Sequence, residues 1–186
     1  MPSSITHAVV GLSSSLAISK EKPSLRVVVL SVCCALIVDL DVLTFKLGIS
    51  YGDFFGHRGF FHSIFFAILV GFIVATLFFR KEGLLSKNYL FYASYFSVVT
   101  ATHGILDAFT NGGLGIALLS PFENSRYFFW ETPIQVSPFG IKAFLNSRGI
   151  AILQNEMLWI WLPSIIIVIF AKISYKYKLK NNHSSF

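Results

Sequence analysis

Seven side chains able to ligate a metal stand near the ends of apolar runs in this 186-residue chain: His7, Asp39, Asp41, His57, His62, His103 and Asp107. Neutral imidazoles and carboxylates together suit divalent ions such as zinc and manganese. His103 and Asp107 are i and i+4, so one helical face presents both. Asp39 and Asp41 are i and i+2, which in a helix would point them apart. They fit better if the helix ends there and both carboxylates turn toward one centre. Residues 56–63 read Gly-His-Arg-Gly-Phe-Phe-His-Ser. That order puts His57 and His62 around a turn at a helix start, with Gly56 and Gly59 allowing a tight backbone. Ser63 is placed to cap that helix or to bond a ligand. Any one of these residues alone reads as a hydrogen-bonded core histidine or a helix-terminal carboxylate. Seven on one face read as a metal site.

The elements that must position them are set by composition. The chain is 54% hydrophobic and 13% charged, with a mean hydropathy of +0.67, against about 25% charge in a soluble domain. Its net charge of +6 does not point to nucleic acid, because the lysines flank apolar runs, where they determine topology. Cys33 and Cys34 are adjacent within an apolar run, which suits small-residue packing better than a disulfide. No basic segment precedes the apolar stretch of residues 1–19, so that stretch is expected to stay rather than be cleaved as a signal peptide.

A transmembrane helix needs about 20 mainly apolar residues. Segments 25–47, 60–79, 89–109 and 157–175 qualify, and Trp159, Trp161, Tyr175, Lys176, Tyr177 and Lys178 supply interfacial anchors for the last. Segment 5–19 is shorter and serine-rich, either a weak span or a helix inside the bundle. The expected fold is all-α: a polytopic membrane helical bundle with four or five transmembrane helices and one long irregular loop, forming a single membrane domain over 1–186. Residues 111–155 carry Gly112, Gly113, Gly115, Pro121, Pro133, Pro138 and Gly140, a density that predicts a lid-like extracytoplasmic loop, with room for a short helix. Residues 179–186 read as a polar cytoplasmic tail.

The basic residues give an orientation. If five segments cross, Lys20, Lys22, Arg26, Arg80, Lys81, Lys87, Lys172, Lys176, Lys178 and Lys180 share one face. Lys46, Arg58, Arg126, Lys142 and Arg148 share the other. The richer face is expected to be cytoplasmic, with the C-terminus inside. Four of the five histidines and all three intramembrane aspartates then fall on the outer face. Charges at that depth cost about 2.5–3.5 kcal/mol each on insertion scales, so they need partners, and a cation is the simplest. Arg58 reads either as a snorkelling interface residue or as a guanidinium that holds an anionic oxygen near the metal. Asp53 reads as a solvated loop carboxylate. Arg126, Arg148 and Glu156 flank the long loop and are expected on the site side.

His7, the Asp39-Leu40-Asp41 pair, Gly56 through Ser63, and Thr102-His103-Gly104-Ile105-Leu106-Asp107-Ala108-Phe109-Thr110 together resemble the membrane-bound metal-dependent hydrolases, the YdjM-like family with a LexA-regulated member. Ser120-Pro121-Phe122, Arg126 through Trp130, Pro133-Ile134 and Ser137-Pro138 are similar to that family as well, and the likeness runs from residue 7 to about residue 163. Two departures are Val38, where the family commonly has proline, and Phe61, where it commonly has threonine; neither removes a ligand. The resemblance implies metal ligands at His7, Asp39, Asp41, His57, His62, His103 and Asp107. It implies an integral protein of a bacterial inner membrane.

The function expected is a metal-dependent hydrolase acting on a lipid-borne or envelope ester, foremost a phosphoester. Zinc is the first candidate, with manganese or magnesium next, as one or two ions. Arg58 and Arg126 are the candidates to bind the anionic substrate group. Membrane lipids are the expected surroundings. The alternatives are a non-catalytic metal-stabilised membrane protein and a transporter or ion pathway. The latter predicts polar residues continuing through the bilayer, which segments 60–79 and 157–175 lack.

Overall fold

A computed structural model describes residues 1–138 and 144–183, with side chains through residue 178. Gly140 and Lys142 of the long loop fall outside the described residues, as do the side chains of the 179–186 tail. Helices α1 (Ser4–Ile18), α2 (Leu25–Leu36), α3 (Ile64–Phe79), α4 (Lys87–Ala108), α5 (Ser147–Glu156) and α6 (Leu162–His183) make up the bundle. Among the described residues the only β pairing is two isolated bridges, Thr110 with Ile134 and Ile116 with Tyr127.

Four of the helices begin on a serine whose hydroxyl accepts the N–H three residues on: Ser3 from Thr6, Ser24 from Val27, Ser63 from Phe66 and Ser86 from Tyr89. Asn146 does the same for α5. These caps satisfy amide groups that would otherwise be orphaned at a helix start. Ser63 therefore serves as the cap its sequence position allows.

Among the described residues three segments are long and apolar enough to cross a bilayer: Leu25–Leu47, Ile64–Glu82 and Ser147–Lys178. Helix α4, with 22 residues, is about 33 Å long at 1.5 Å per residue and packs along α3. Helix α1 has 15 residues and reaches about 22 Å, short of a 30 Å hydrocarbon core. Its end and the turn after it are met by α6: Lys172 Nζ donates to Ser19 O and Glu21 O, both at 2.6 Å, and the Tyr175 hydroxyl donates to Ile18 O. Close approach is set by small residues, as expected where lipid replaces water. A Cβ on Gly11 would sit 2.6 Å from Ser31 O, and one on Gly71 would sit 2.5 Å from Ala93 O. Val27, Cys34, Ala35, Val70, Phe79, Tyr95, Phe96 and Val99 form the main core. Cys34 packs inside it while Cys33 is exposed and both are free, as the sequence implied. Ile165, Ile167, Ile169 and Phe170 on α6 remain exposed, a face for lipid.

Two spans depart from regular helix. The first changes at Ile37 from α to 3-10 geometry and holds it through Leu47. It ends at Gly48, whose φ of 78° lies in the left-handed region that glycine alone enters freely. The last span runs from α5 through a π-helical turn, Met157–Trp161, into α6, so it starts ten residues before the apolar run. The π turn brings Trp161 Nε1 to within 2.7 Å of the Thr6 hydroxyl.

Glu156 sits just before that turn, fully buried, and ties α1 to the last span. It accepts from Ser3 N at 2.5 Å, from the Ser3 hydroxyl at 2.6 Å and from the Thr6 hydroxyl at 2.6 Å. Hydrogen bonds to a charged group contribute about 1.5–3 kcal/mol each. Glu156→Ala should therefore lower the thermal midpoint in detergent more than any substitution on the exposed face of α6, with Ile167→Ala as reference. Equal midpoints for the two variants would contradict the role given to Glu156.

Candidate metal centre

The seven ligand candidates arrive from four elements that meet at one end of the bundle. Helix α1 brings His7 in its first turn, and α4 brings His103 and Asp107 in its last two turns. The 3-10 segment brings Asp39 and Asp41, and the turn before α3 brings His57 and His62. Gly104 makes the meeting possible: a Cβ there would collide with the His62 carbonyl oxygen, so only glycine lets α4 lie against the turn beside His103. All seven side chains are buried except that of Asp39, at 13% exposure.

They form two adjoining sets. The ligand atoms of His7, His103 and Asp107 all lie within 4.8 Å of one another, and so do those of Asp39, His57 and His62. The sets touch twice: His62 Nε2 is 3.5 Å from Asp107 Oδ2, and His103 Nε2 is 3.2 Å from Asp39 Oδ1. The His7 and His103 rings stack with centroids 3.7 Å apart.

Asp41 does not join Asp39 at one centre, as their spacing had suggested for a frayed helix. Its Oδ1 is 2.7 Å from His57 Nδ1, and its Oδ2 lies 3.0 Å from His62 Nδ1, off hydrogen-bond alignment, and accepts from Arg58 N at 3.1 Å. A carboxylate accepts only, so His57 Nδ1 carries the proton and Nε2 the lone pair. A carboxylate behind a histidine in this way sets the tautomer of a metal ligand. The Ala35 carbonyl does the same for His103, 2.7 Å from its Nδ1, a partner no sequence pattern announces.

The residues fit a cation. His103 Nδ1 donates to a carbonyl, so its Nε2 presents a lone pair toward the Asp39 carboxylate, two acceptors face to face. Both oxygens of Asp107, Asp39 Oδ2, His7 Nε2 and both ring nitrogens of His62 are buried without a hydrogen bond. Buried polar atoms are almost always bonded; one His62 nitrogen carries a proton, and the carboxylate oxygens with the remaining imidazole lone pairs are acceptors that a divalent ion satisfies.

The two arginines are placed otherwise than expected. Arg58 is fully buried and sits at φ 64°, an uncommon conformation for a residue with a side chain. Asp41 on its N–H and Ala117 N on its carbonyl, at 3.1 Å, hold it there. Its Nη1 donates to Gly112 O at 2.5 Å, its Nη2 to the Thr110 hydroxyl at 3.1 Å, and its Nε faces Asp107 Oδ2 at 3.5 Å. Arg126 donates to three backbone carbonyls, His57 O, Tyr51 O and Asp53 O, at 2.8, 2.9 and 3.1 Å. It clamps the 51–58 loop. Partial burial draws the Arg126 guanidinium pKa down, and burial pushes the Tyr51 phenol beside it up. Asp53 is exposed and accepts from Ser50 N. Arg148 is exposed on α5, and Glu156 is spent on α1.

The long connection doubles back over this end of the bundle. Phe129 N donates to Ala108 O, Ile64 N to Leu118 O, and Asn111 N to Ile134 O, at 3.0, 3.0 and 3.1 Å.

If Asp41 orients rather than ligates, Asp41→Ala should weaken zinc binding by about 10–100-fold, the usual effect of losing an outer partner. Competition against a chromophoric chelator measures this. Complete loss of binding would make Asp41 a ligand; an unchanged affinity would leave it no role at the metal.

A family model described as YdjM inner membrane protein matches residues 1–181. The inner membrane protein YbcI of Escherichia coli (strain K12) is 34% identical over 170 residues, covering 90% of this chain and 95% of that protein. No solved structure matches the chain.

Proposed function

The chain belongs to the YdjM inner membrane protein family, and on that footing we propose that its buried cluster holds one or two divalent ions in a hydrolase for lipid-borne or envelope esters, foremost phosphoesters. The observation that carries the reading is the set of unmet acceptors on His7, Asp39, His62 and Asp107, gathered where the insertion penalty for charge is high. His7, His103 and Asp107 would hold one ion and Asp39, His57 and His62 a second, or the two sets would share one. Zinc suits the imidazoles best, with manganese or magnesium next. A bound divalent ion lowers the pKa of water it holds and polarises the ester oxygen under attack.

The protein's own groups supply the rest. Asp41 fixes His57. Arg58 keeps the charge of Asp107 countered and fastens the start of the long connection through Gly112 and Thr110. Arg126 fixes the loop that presents His57. The connection over the bundle end acts as a lid that limits water at the site. The excess of basic residues toward the other end supports a site outside the cytoplasm and a C-terminus inside.

Asp39 favours catalysis over a closed structural site, because it is the one member of the cluster with a path outward. A transporter would need polar groups on through the bilayer, and α3 between Ile64 and Phe79 offers only Thr76, which bonds Phe72 O and Tyr89.

The test is an esterase and phosphatase panel on detergent-purified protein, loaded with zinc or manganese, beside His62→Ala. Turnover that a chelator abolishes, that metal restores and that His62→Ala lacks is the expected result. Metal-loaded protein that hydrolyses nothing in the panel would remove the hydrolase and leave the metal site.

A further inference from the structure

Beside the cluster lies an open cleft of about 610 Å³ whose walls are Ile5, Val42, Phe144, Leu145 and Leu153, with Asp39 among its lining. That volume is within the 300–1,000 Å³ of small-molecule sites. We infer that this cleft is the seat of one acyl chain of the lipid substrate, with the ester end of that lipid at Asp39.

Three observations converge on that occupant. The walls come from α1, the first span, α5 and the two residues Phe144 and Leu145 just ahead of it, so the cleft lies between membrane elements, where its natural contents are hydrocarbon. Ser3, Ser4 and Ser137 also border it, with the Ser3 hydroxyl turned to Glu156, but most of the wall is apolar, which suits a chain better than a headgroup. Its polar member that belongs to the cluster is Asp39, whose Oδ1 is 3.2 Å from His103 Nε2 and whose Oδ2 is buried without a hydrogen bond. One residue is therefore shared between the hydrocarbon seat and the candidate metal centre. A second cleft of about 350 Å³, lined by Ile64, Phe65, Ile68, Leu118 and Phe122, contains no member of the cluster and makes the contrast. The inference rests on the hydrolase reading for the identity of the lipid as substrate, while the seat itself is testable without turnover.

The probe is a phospholipid with a diazirine midway along one palmitoyl chain, added to the full chain in nanodiscs of phosphatidylethanolamine and phosphatidylglycerol. After irradiation, labelled peptides are mapped by mass spectrometry. Label should concentrate on residues 144–153 and the Val42 region. Leu153→Trp and, separately, Leu145→Trp should cut it on the order of tenfold with zinc content unchanged, since each methylene kept from an apolar site weakens binding several-fold. Ile167→Trp on the lipid face should not change it. Label spread over exposed α6 positions such as Ile165 and Ile169, and indifferent to both cleft variants, would overturn the inference. Seat labelling without chelator-sensitive hydrolysis would keep the acyl seat and remove the hydrolase. Hydrolysis without seat labelling would do the reverse.

Discussion

Asp107→Ala is expected to empty the site of metal and to destabilise the protein by about 3 kcal/mol or more, the scale on which a buried ion pair breaks when one partner goes. Asp107 is the carboxylate on which the cluster converges. Its Oδ1 is 3.4 Å from His7 Nε2, and its Oδ2 is 3.5 Å from both His62 Nε2 and Arg58 Nε. Alanine removes a ligand and leaves Arg58 buried with no carboxylate facing its Nε. Because metal bound only to the folded state adds to folding stability, the two losses should appear together, as a midpoint lowered by on the order of 10 °C that added zinc does not restore. In the wild type, added zinc should raise the midpoint. A variant that keeps its metal, or one that loses metal with no fall in midpoint, would show that Asp107 is not at the centre of the site.

Arg58→Lys should keep the metal and lose hydrolysis on the order of 10²-fold, the effect of shifting a reacting group by about 1 Å. Lysine keeps the charge but presents one ammonium where the guanidinium reaches Gly112 O, the Thr110 hydroxyl and Asp107 at once. The loop from Thr110 to Gly112 then loses its anchor, and with it the placement of the lid. The sequence alone suggested that this guanidinium meets the substrate; the structure points to positioning, and the midpoint separates the two. A positioning role lowers it by several degrees, since a hydrogen bond to a charged group contributes about 1.5–3 kcal/mol. Lost activity with an unchanged midpoint would return Arg58 to direct contact with substrate, and lost metal would make it a support of the ligands.

The site was readable from sequence to the extent that bilayers forbid idle charge. Asp39, Asp41 and Asp107 at the ends of apolar runs demand partners, and the topology drawn from lysines and arginines set the histidines on the same side. His103 and Asp107 lie one turn apart on the last two turns of α4, as their spacing implies. What was not readable is the division of labour inside the cluster. Asp39 and Asp41 differ by two positions and part company because the segment stays helical, in 3-10 geometry, through Leu47 instead of ending between them, and no residue type there dictates that course. The Ala35 carbonyl behind His103 is a backbone group and leaves no trace in side-chain pattern. Arg126 looked like an anion binder because arginine beside a site commonly is one; only the folded 51–58 loop shows three carbonyls converging on it. Glu156 sits one π turn before an apolar span, and its partners Ser3 and Thr6 are some 150 residues away in the chain, a separation no local motif bridges.

Metal analysis of the purified protein tests the central claim most directly. Wild type and the double variant His62→Ala/Asp107→Ala would be purified in detergent, offered zinc, manganese, magnesium and calcium in turn, desalted and measured by plasma mass spectrometry. About one or two zinc or manganese ions per wild-type chain, and none in the double variant, is the result predicted by the unmet acceptors of the cluster. Equal, substoichiometric metal in both proteins under every loading condition would contradict it.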